Sequence, residues 1–263
     1  MLIDAIVTDL DDTLLNEKSQ LSPFTLDVLR QAIRKGIRLI PASGRAARSM
    51  FPYTSQFAAG VPYIACNGSQ LVNADHTVME TFTLSPEVAQ QIIRYVKRNG
   101  FYVQSYRDDD FFYDSECQTS MDYQRSSGMN GHAVGDLAAF NTFPTPKLLC
   151  VQEPPEVEKL YPLIQCAFPD VTFTISKPYF LEAQPANVSK GAALAMLAKR
   201  LGLTPEHTVV FGDSLNDVSM LQYTPNSVAM GNARADVKAA ARYVCQTNAQ
   251  DGVARFLLAQ GIV

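Results

Sequence analysis

Asp9 and Asp11 stand two residues apart at the end of an apolar run that contains Ile3, Ala5, Ile6 and Val7. Ser43-Gly44 follows a second apolar run, and Asp213, Asn216 and Asp217 follow a third. Lys190 stands where a helix should begin. If the runs are neighbouring strands, their loops form one site holding several carboxylates, a hydroxyl, a glycine amide and a lysine. Carboxylates gathered in this way repel one another unless a cation sits among them. Hard oxygen donors with room for water suit Mg²⁺. A divalent ion beside a serine, a lysine and backbone amides attracts phosphoryl oxygens. In such a site one carboxylate can attack phosphorus. A second, two residues away, can give a proton to the leaving oxygen and then activate water.

Each run taken alone has a plainer reading. Two aspartates after a strand often cap or turn the chain. Ser43-Gly44-Arg45 alone is a turn with a solvated arginine. A lysine at a helix start opposes the helix dipole, which suggests a role for Lys190, although a solvated lysine fits this clue alone. Gly212-Asp213-Ser214-Leu215-Asn216-Asp217 is more specific, because three polar side chains follow a buried strand. The combination and its order carry the weight.

Positioning these residues requires strands alternating with helices. Leu2 to Leu10 reads as a buried strand. Ser22 as N-cap, Pro23 as first helical residue and Gly36 as stop frame a helix with Leu26, Leu29 and Ile33 on one face. Ile37 to Ala42 and Pro62 to Cys66 read as further strands, the latter ending in Asn67-Gly68, with a hairpin through Val72 and Val78. Near the C-terminus, Ser189 caps a helix to about Leu201 with Gly202 as its stop. Thr208 to Phe211 and Ser227 to Met230 read as strands. Helices are expected near Asn216-Asp217 and over Ala233 to Tyr243. This is the grammar of parallel βαβ units, whose ligands bind at the carboxyl ends of the strands.

The texture changes between about Leu84 and Ala183. Ser85-Pro86 opens an amphipathic helix that Gly100 closes, and Glu156 to Ala167 fits another. Alternating segments at 101–103, 111–113, 147–151, 171–175 and 179–181 read as strands. The expectation is a discontinuous core of residues 1–83 and 184–263 with an α+β insertion at 84–183. Within the insertion, Tyr102, Tyr106, Phe111, Phe112 and Tyr113 could line a pocket, but an aromatic cluster at strand spacing is more often core. Arg107-Asp108-Asp109-Asp110 fits a solvated turn better than a second metal site. His132 is expected in a loop, as are His76 and His207. Glu182 faces either a ligand or a hinge salt bridge.

Composition narrows the partners. The 263 residues carry 22 Lys+Arg against 26 Asp+Glu, a net charge of -4, which lacks the positive field nucleic-acid binding requires. Hydrophobic residues make up 47% and charged residues 18%, which excludes a disordered chain. No apolar run approaches the ~18 residues of a membrane span. The opening Met1-Leu2-Ile3-Asp4 lacks the basic region of a secretory leader. Cys66, Cys117, Cys150, Cys166 and Cys245 are odd in number and widely spaced, which predicts buried, reduced thiols and a cytoplasmic setting.

Asp9-Leu10-Asp11-Asp12-Thr13-Leu14 resembles the DxDGT signature of the haloacid dehalogenase-like phosphohydrolases. Ser43-Gly44-Arg45, Asn187-Val188-Ser189-Lys190-Gly191 and Gly212-Asp213-Ser214-Leu215-Asn216-Asp217 resemble their second, third and fourth motifs, in the right order. Thr247-Asn248 with Asp251-Gly252-Val253 is similar to the tail of the Cof-type subgroup. The insertion sits where that subgroup carries its C2-type cap. The resemblance implies a Rossmann-like α/β core with a C2-type α+β cap. It also implies a Mg²⁺-dependent phosphatase of small phosphorylated metabolites such as sugar phosphates, acting through an aspartyl-phosphate.

The family's roles carry over by position. Asp9 would be nucleophile and metal ligand. Asp11 would be general acid/base and ligate through its carbonyl. The Leu10 amide, Ser43, the Gly44 amide and Asn216 would hold phosphate. Lys190 would neutralise charge on phosphate and nucleophile, Asp213 would ligate the metal, and Asp217 would support its outer shell. Asp12 replaces the usual glycine, and Asn187 stands where a glycine is frequent. A phosphomutase or phosphotransferase would share these motifs. A non-catalytic metabolite-binding regulator would be marked by loss of Asp9 or Asp11, and both are present. The oligomeric state is left open.

Overall fold

The N-terminal apolar run forms the strand Ala5–Thr8, buried at all four positions. In the computed structural model, which describes residues 2–57 and 60–263, this strand belongs to a five-stranded parallel sheet. The order is Tyr243–Val244, Asn226–Ala229, Thr208–Gly212, Ala5–Thr8, Arg38–Pro41. Met1, which heads the leader-free reading of the N-terminus, lies outside the described residues, as do Ala58 and Ala59.

Local signals start and stop the helices of this sheet. Ser22 Oγ accepts the Thr25 N–H at 3.0 Å ahead of the Pro23–Arg34 helix. Ser189 Oγ accepts the Ala192 N–H at 3.1 Å ahead of Lys190–Leu201, and Gly202 closes that helix in the left-handed region. The strands divide their side chains between two faces with period two. Ala5, Val7, Ile40 and Val210 pack with Ala193, Leu194 and Leu197 of the Lys190–Leu201 helix. Phe211 points to the opposite face, where its ring meets Phe256 of the Gly252–Ala259 helix at 5.6 Å.

From Ala5–Thr8 the chain moves outward to Arg38–Pro41, and later it builds the other side from Thr208–Gly212. The order therefore reverses between Ala5–Thr8 and Thr208–Gly212, and such a switch point is where open parallel sheets bind ligands. The residues that leave these two strands are Asp9 and Asp213.

The chain divides into two compact units. One comprises Met1–Gly44, Met50–Glu80 and Ser189–Val263, and the other Arg45–Ser49 and Thr81–Val188. The second has a six-stranded sheet ordered Val171–Lys177, Phe180–Pro185, Leu148–Val151, Tyr102–Arg107, Asp110–Tyr113, Asn130–Ala133. All its pairings are antiparallel except the last. Ala89, Ile92, Ile93 and Val96 of the Pro86–Arg98 helix, spaced at helical period, pack with Val103, Phe112, Leu148, Cys150 and Leu181. The architecture is therefore the α/β class read from the sequence, a Rossmann-like parallel sheet with an α+β insertion. No helix among the described residues is long and apolar enough to cross a membrane.

Several expectations need correction. The helix expected to reach Tyr243 spans only Ala235–Ala240, and Tyr243–Val244 instead forms the sheet's edge strand. Pairing with Asn226–Ala229 and the bond from the Cys245 N–H to the Ala229 carbonyl (3.0 Å) override the alanine-rich helix propensity. His132 lies in the strand Asn130–Ala133, stacked on Phe112, with Nε2 3.1 Å from Asp110 Oδ2. Glu182 is buried in its own unit's sheet and paired with Lys147 at 2.7 Å. Tyr106, Phe111, Phe112 and Tyr113 are buried core residues, as strand spacing favoured. Asp108 turns the hairpin between Arg107 and Asp110 with φ 54°, the turn the sequence favours. Cys66 and Cys150 are buried and none of the five cysteines is in a disulfide, but Cys166 is exposed.

Candidate active site

Asp9 leaves the buried strand Ala5–Thr8 with its N–H bonded to the Phe211 carbonyl at 3.1 Å. That bond continues the sheet register and ties Asp9 to the strand that delivers Asp213. The chain then reverses at Asp12, which has φ 58° and ψ 5°. The left-handed conformation explains the family's usual glycine here, and aspartate is among the residues that tolerate it. Asn187, the other position where glycine is frequent, also has positive φ, at 61°.

Lys190 is the first residue of its helix and is 0% exposed. Its Nζ donates to Asp9 Oδ1 at 2.5 Å and to Asp217 Oδ1 at 2.6 Å. Gly191 allows this helix end to come close: its N–H donates to Ser219 Oγ at 3.0 Å, and a Cβ there would lie 2.2 Å from the Ser219 carbonyl oxygen. The unfavourable placement on the dipole is thus offset by two carboxylates.

Asp217 is fully buried, and its second oxygen accepts the N–H groups of Asp213 at 2.9 Å and Ser214 at 3.0 Å. Gly212 makes room for this turn, since a Cβ would meet Asp217 Cβ at 2.4 Å. With both oxygens so engaged, Asp217 is suited to supporting its neighbours rather than to a free ligand position. Thr13 Oγ1 donates to Asp213 Oδ1 at 2.7 Å, joining the first and fourth motifs.

Carboxylate oxygens of Asp9, Asp213 and Asp217 lie within 4.8 Å of one another, the only such potential metal-holding group of three among the described residues. Burial pushes the Asp9 carboxyl well above the usual carboxylate range. Lys190 opposes that rise, and Asp217, Asp213 and Asp11 add to it. Burial, then Asp217, raises Asp213 to about 7 against the bond from Thr13. Burial works against the Lys190 ammonium, but Asp217 and Asp9 outweigh it and hold its pKa above the ordinary lysine value. When all three carboxylates are ionised, they exceed the one ammonium by two negative charges, the complement of a divalent cation. The all-oxygen donor set fits Mg²⁺.

Ser43 follows the strand whose Pro41 pairs with Thr8, so its loop runs beside that of Asp9. Ser43 is buried, its N–H donates to the Ile64 carbonyl, and its own carbonyl accepts the Asn67 N–H, both at 2.9 Å. Asn216 Nδ2 donates to Asn67 Oδ1 at 2.9 Å. Leu10 is buried beside Asp9, whereas Asp11 and Gly44 are half-buried. The loops thus bring Asp9, Lys190, Asp213 and Asp217 into one cluster, and link Ser43 to Asn216 through Asn67.

Sequence reasoning gave no role to Thr13, Asn67, Asn232 or Asn248. Asn232 Nδ2 donates to the Asp12 carbonyl at 2.7 Å and Asn248 Nδ2 to the Leu15 carbonyl at 2.9 Å. The C-terminal tail therefore clamps the turn that presents Asp9 and Asp11. Thr13 lies inside the first motif and Asn248 inside the tail motif, so those two carried a signal; Asn232 carried none.

A family model for haloacid dehalogenase-like hydrolases matches residues 6–257. Phosphatase YwpJ of Bacillus subtilis is 28% identical over 283 aligned positions, covering 96% of this chain and 98% of the relative. Pyridoxal phosphate phosphatase YbhA of Escherichia coli is 28% identical over 268, covering 98% of each. A haloacid dehalogenase-like hydrolase of Bacteroides thetaiotaomicron has a crystal structure that superposes with TM-score 0.86 at 28% identity, covering 98% of this chain and 99% of the other.

Proposed function

The chain belongs to the haloacid dehalogenase-like hydrolases, and from that premise we propose that it is a Mg²⁺-dependent phosphatase of small phosphorylated metabolites, sugar phosphates or similar esters. The observation that carries this reading is the cluster of buried Asp9 and Asp217 and half-buried Asp213 around Lys190, with its surplus negative charge. The named activities of similar proteins support the substrate class, pyridoxal phosphate being one small phosphorylated metabolite. We assign residues 1–83 and 184–263 to the catalytic core and 84–183 to a C2-type cap that selects the ester. Five cysteines outside any disulfide support a reducing, cytoplasmic setting.

In this reading the Asp9 carboxylate attacks phosphorus, forming an acyl phosphate as the bond to the leaving oxygen breaks. Asp11 gives that oxygen its proton. Asp11 then takes a proton from water, whose oxygen attacks phosphorus and releases inorganic phosphate, restoring Asp9. Lys190 orients the Asp9 carboxylate through Oδ1 and contributes positive charge. Asp217 holds Lys190 from the other side and fixes the Asp213 loop by two backbone bonds. Ser43, the Leu10 and Gly44 amides and Asn216 hold phosphoryl oxygens. Asp9, Asp213 and the Asp11 carbonyl would hold Mg²⁺, which supplies positive charge for the phosphoryl oxygens. Positioning and electrostatics supply most of the rate in phosphoryl transfer.

Phosphate release from 4-nitrophenyl phosphate and a panel of phosphorylated metabolites, with and without Mg²⁺, tests the reading. Mg²⁺-dependent release that is lost in Asp9→Asn is expected. No release from any ester would end it.

A further inference from the structure

Asn67 belongs to none of the four motifs, yet it sits between two of them. Its N–H donates to the Ser43 carbonyl at 2.9 Å, and its Oδ1 accepts Asn216 Nδ2 at 2.9 Å. The residue is 2% exposed, and its backbone is left-handed, with φ 53° and ψ 28°. Three separate constraints therefore fix one small amide where the Ser43 and Asn216 loops meet.

The remaining ends of the two amides are Asn67 Nδ2 and Asn216 Oδ1. Both are buried and have no hydrogen-bond partner among the described residues. A buried amide that makes one bond and leaves its other end empty loses more in desolvation than a typical bond returns. Exchanging N and O in both amides preserves the bond between them and still leaves one donor and one acceptor open. In either orientation the pair therefore keeps one amino group and one carbonyl without a partner.

We propose that Asn67 is a phosphate-binding residue and that Asn67 and Asn216 act as a hydrogen-bonded amide pair that grips one phosphoryl oxygen. The inference rests on the phosphatase reading and deepens it by adding a residue that the motifs do not contain. The open N–H groups of the pair donate to the phosphoryl oxygen, and the open carbonyl accepts a hydrogen bond from a water that hydrates the phosphate. Through the Ser43 carbonyl, the same residue holds the serine loop in register with the Asn216 loop. Ligand binding would satisfy polar atoms that folding alone leaves unpaired.

The test uses the full chain with Mg²⁺, 4-nitrophenyl phosphate as substrate and orthophosphate as binding probe. Asn67→Asp keeps an acceptor for Asn216 and a residue tolerant of positive φ, but puts a carboxylate oxygen where the donor was. Asn67→Gly keeps the backbone and removes the amide. Circular dichroism and melting establish that each variant folds, and if the glycine variant does not, Asn67→Asp decides alone. The expected result is a 10- to 100-fold rise, in order of magnitude, in both KM and the inhibition constant of orthophosphate, with a smaller change in kcat. A merely structural role would lower melting temperature and active fraction without moving the orthophosphate constant. KM and orthophosphate constants within about twofold of wild type in a folded variant would overturn the proposal. Calorimetric titration of wild type with orthophosphate separates the two ideas. Binding without turnover would defeat the phosphatase reading alone, whereas binding equally strong in Asn67→Asp, or absent from wild type, would defeat the amide pair.

Discussion

Each unit of this protein buries one lysine against carboxylates, and the two sites are balanced differently. Lys147 of the inserted unit is 3% exposed, bonds Glu182 Oε2 at 2.7 Å and lies 4.9 Å from the centre of the Tyr106 ring. Ser176 Oγ donates to the other oxygen of Glu182 at 2.5 Å. One positive charge there meets one negative charge, a hydroxyl and an aromatic face. Lys190 of the parallel-sheet unit meets Asp9 and Asp217, with Asp213 beside them. A balanced pair completes a fold. An unbalanced cluster costs stability that only a further positive charge restores, and such an arrangement marks a site rather than a core.

This contrast makes opposite predictions for isosteric neutralisation. Asp9→Asn should lower turnover by about 10⁴-fold or more, as loss of a nucleophile does elsewhere. It should also leave the metal-free protein as stable as wild type or more so, because it removes one of the surplus charges. Steady-state phosphate release and thermal melting of the same preparation check both. A folded variant that retains near-normal release would refute the acyl-phosphate scheme. Asp11→Asn should cost about 10²–10⁴-fold, most with poor leaving groups, because it removes proton transfer rather than attack. An equal rate loss for alkyl and aryl esters would show that Asp11 does not protonate the leaving oxygen.

In the inserted unit, Glu182→Gln should behave the other way. It strands the Lys147 ammonium, and loss of one partner of a buried pair costs about 3–5 kcal/mol. Replacing both groups, as in Lys147→Met with Glu182→Leu, should recover most of that loss. Denaturant unfolding of Lys147→Met, Glu182→Leu and the double variant measures the coupling. Additive losses would mean that the pair is not a balanced unit, and the comparison between the lysines would fail.

The elements that carry the site were legible because their signals are local. Ser22 with Pro23 and Ser189 with Gly202 specify helix ends within a few residues, and each motif loop follows its own apolar strand. What stayed hidden is the pairing between loops. Thr13 meets Asp213 across 200 positions, Asn216 meets Asn67 across 149, and Asn248 meets Leu15 across 233. No propensity or period records such a bond, since each partner alone is an ordinary loop residue. The Tyr243–Val244 strand was missed for a related reason: an edge strand this short exists only because Asn226–Ala229 offers it a ladder. Glu182 was ambiguous because its partner Lys147 lies on the neighbouring segment, 35 residues away.

The finest discrimination between the two lysine sites comes from Mg²⁺ and pH together. Burial and mutual repulsion raise the Asp9 carboxyl above its ordinary range and bring Asp213 to about 7, whereas an unfolded aspartate titrates near 3.9. Between roughly pH 4 and 7 the metal-free native state therefore binds more protons at these groups than the unfolded chain. Their contribution to stability is fully present below the unfolded value and is lost as pH rises through the folded one. Mg²⁺ competes with those protons and should offset the loss. Saturating Mg²⁺ should raise the melting temperature more at about pH 8 than at about pH 5, with about 2.7 kcal/mol gained at one hundred times Kd. The increment should shrink in Asp9→Asn and in Asp213→Asn, and persist in Glu182→Gln, because only the first two remove charge from the unbalanced cluster. An increment that is independent of pH, or that survives both aspartate variants, would place the divalent ion elsewhere and leave the surplus charge around Lys190 without its counterpart.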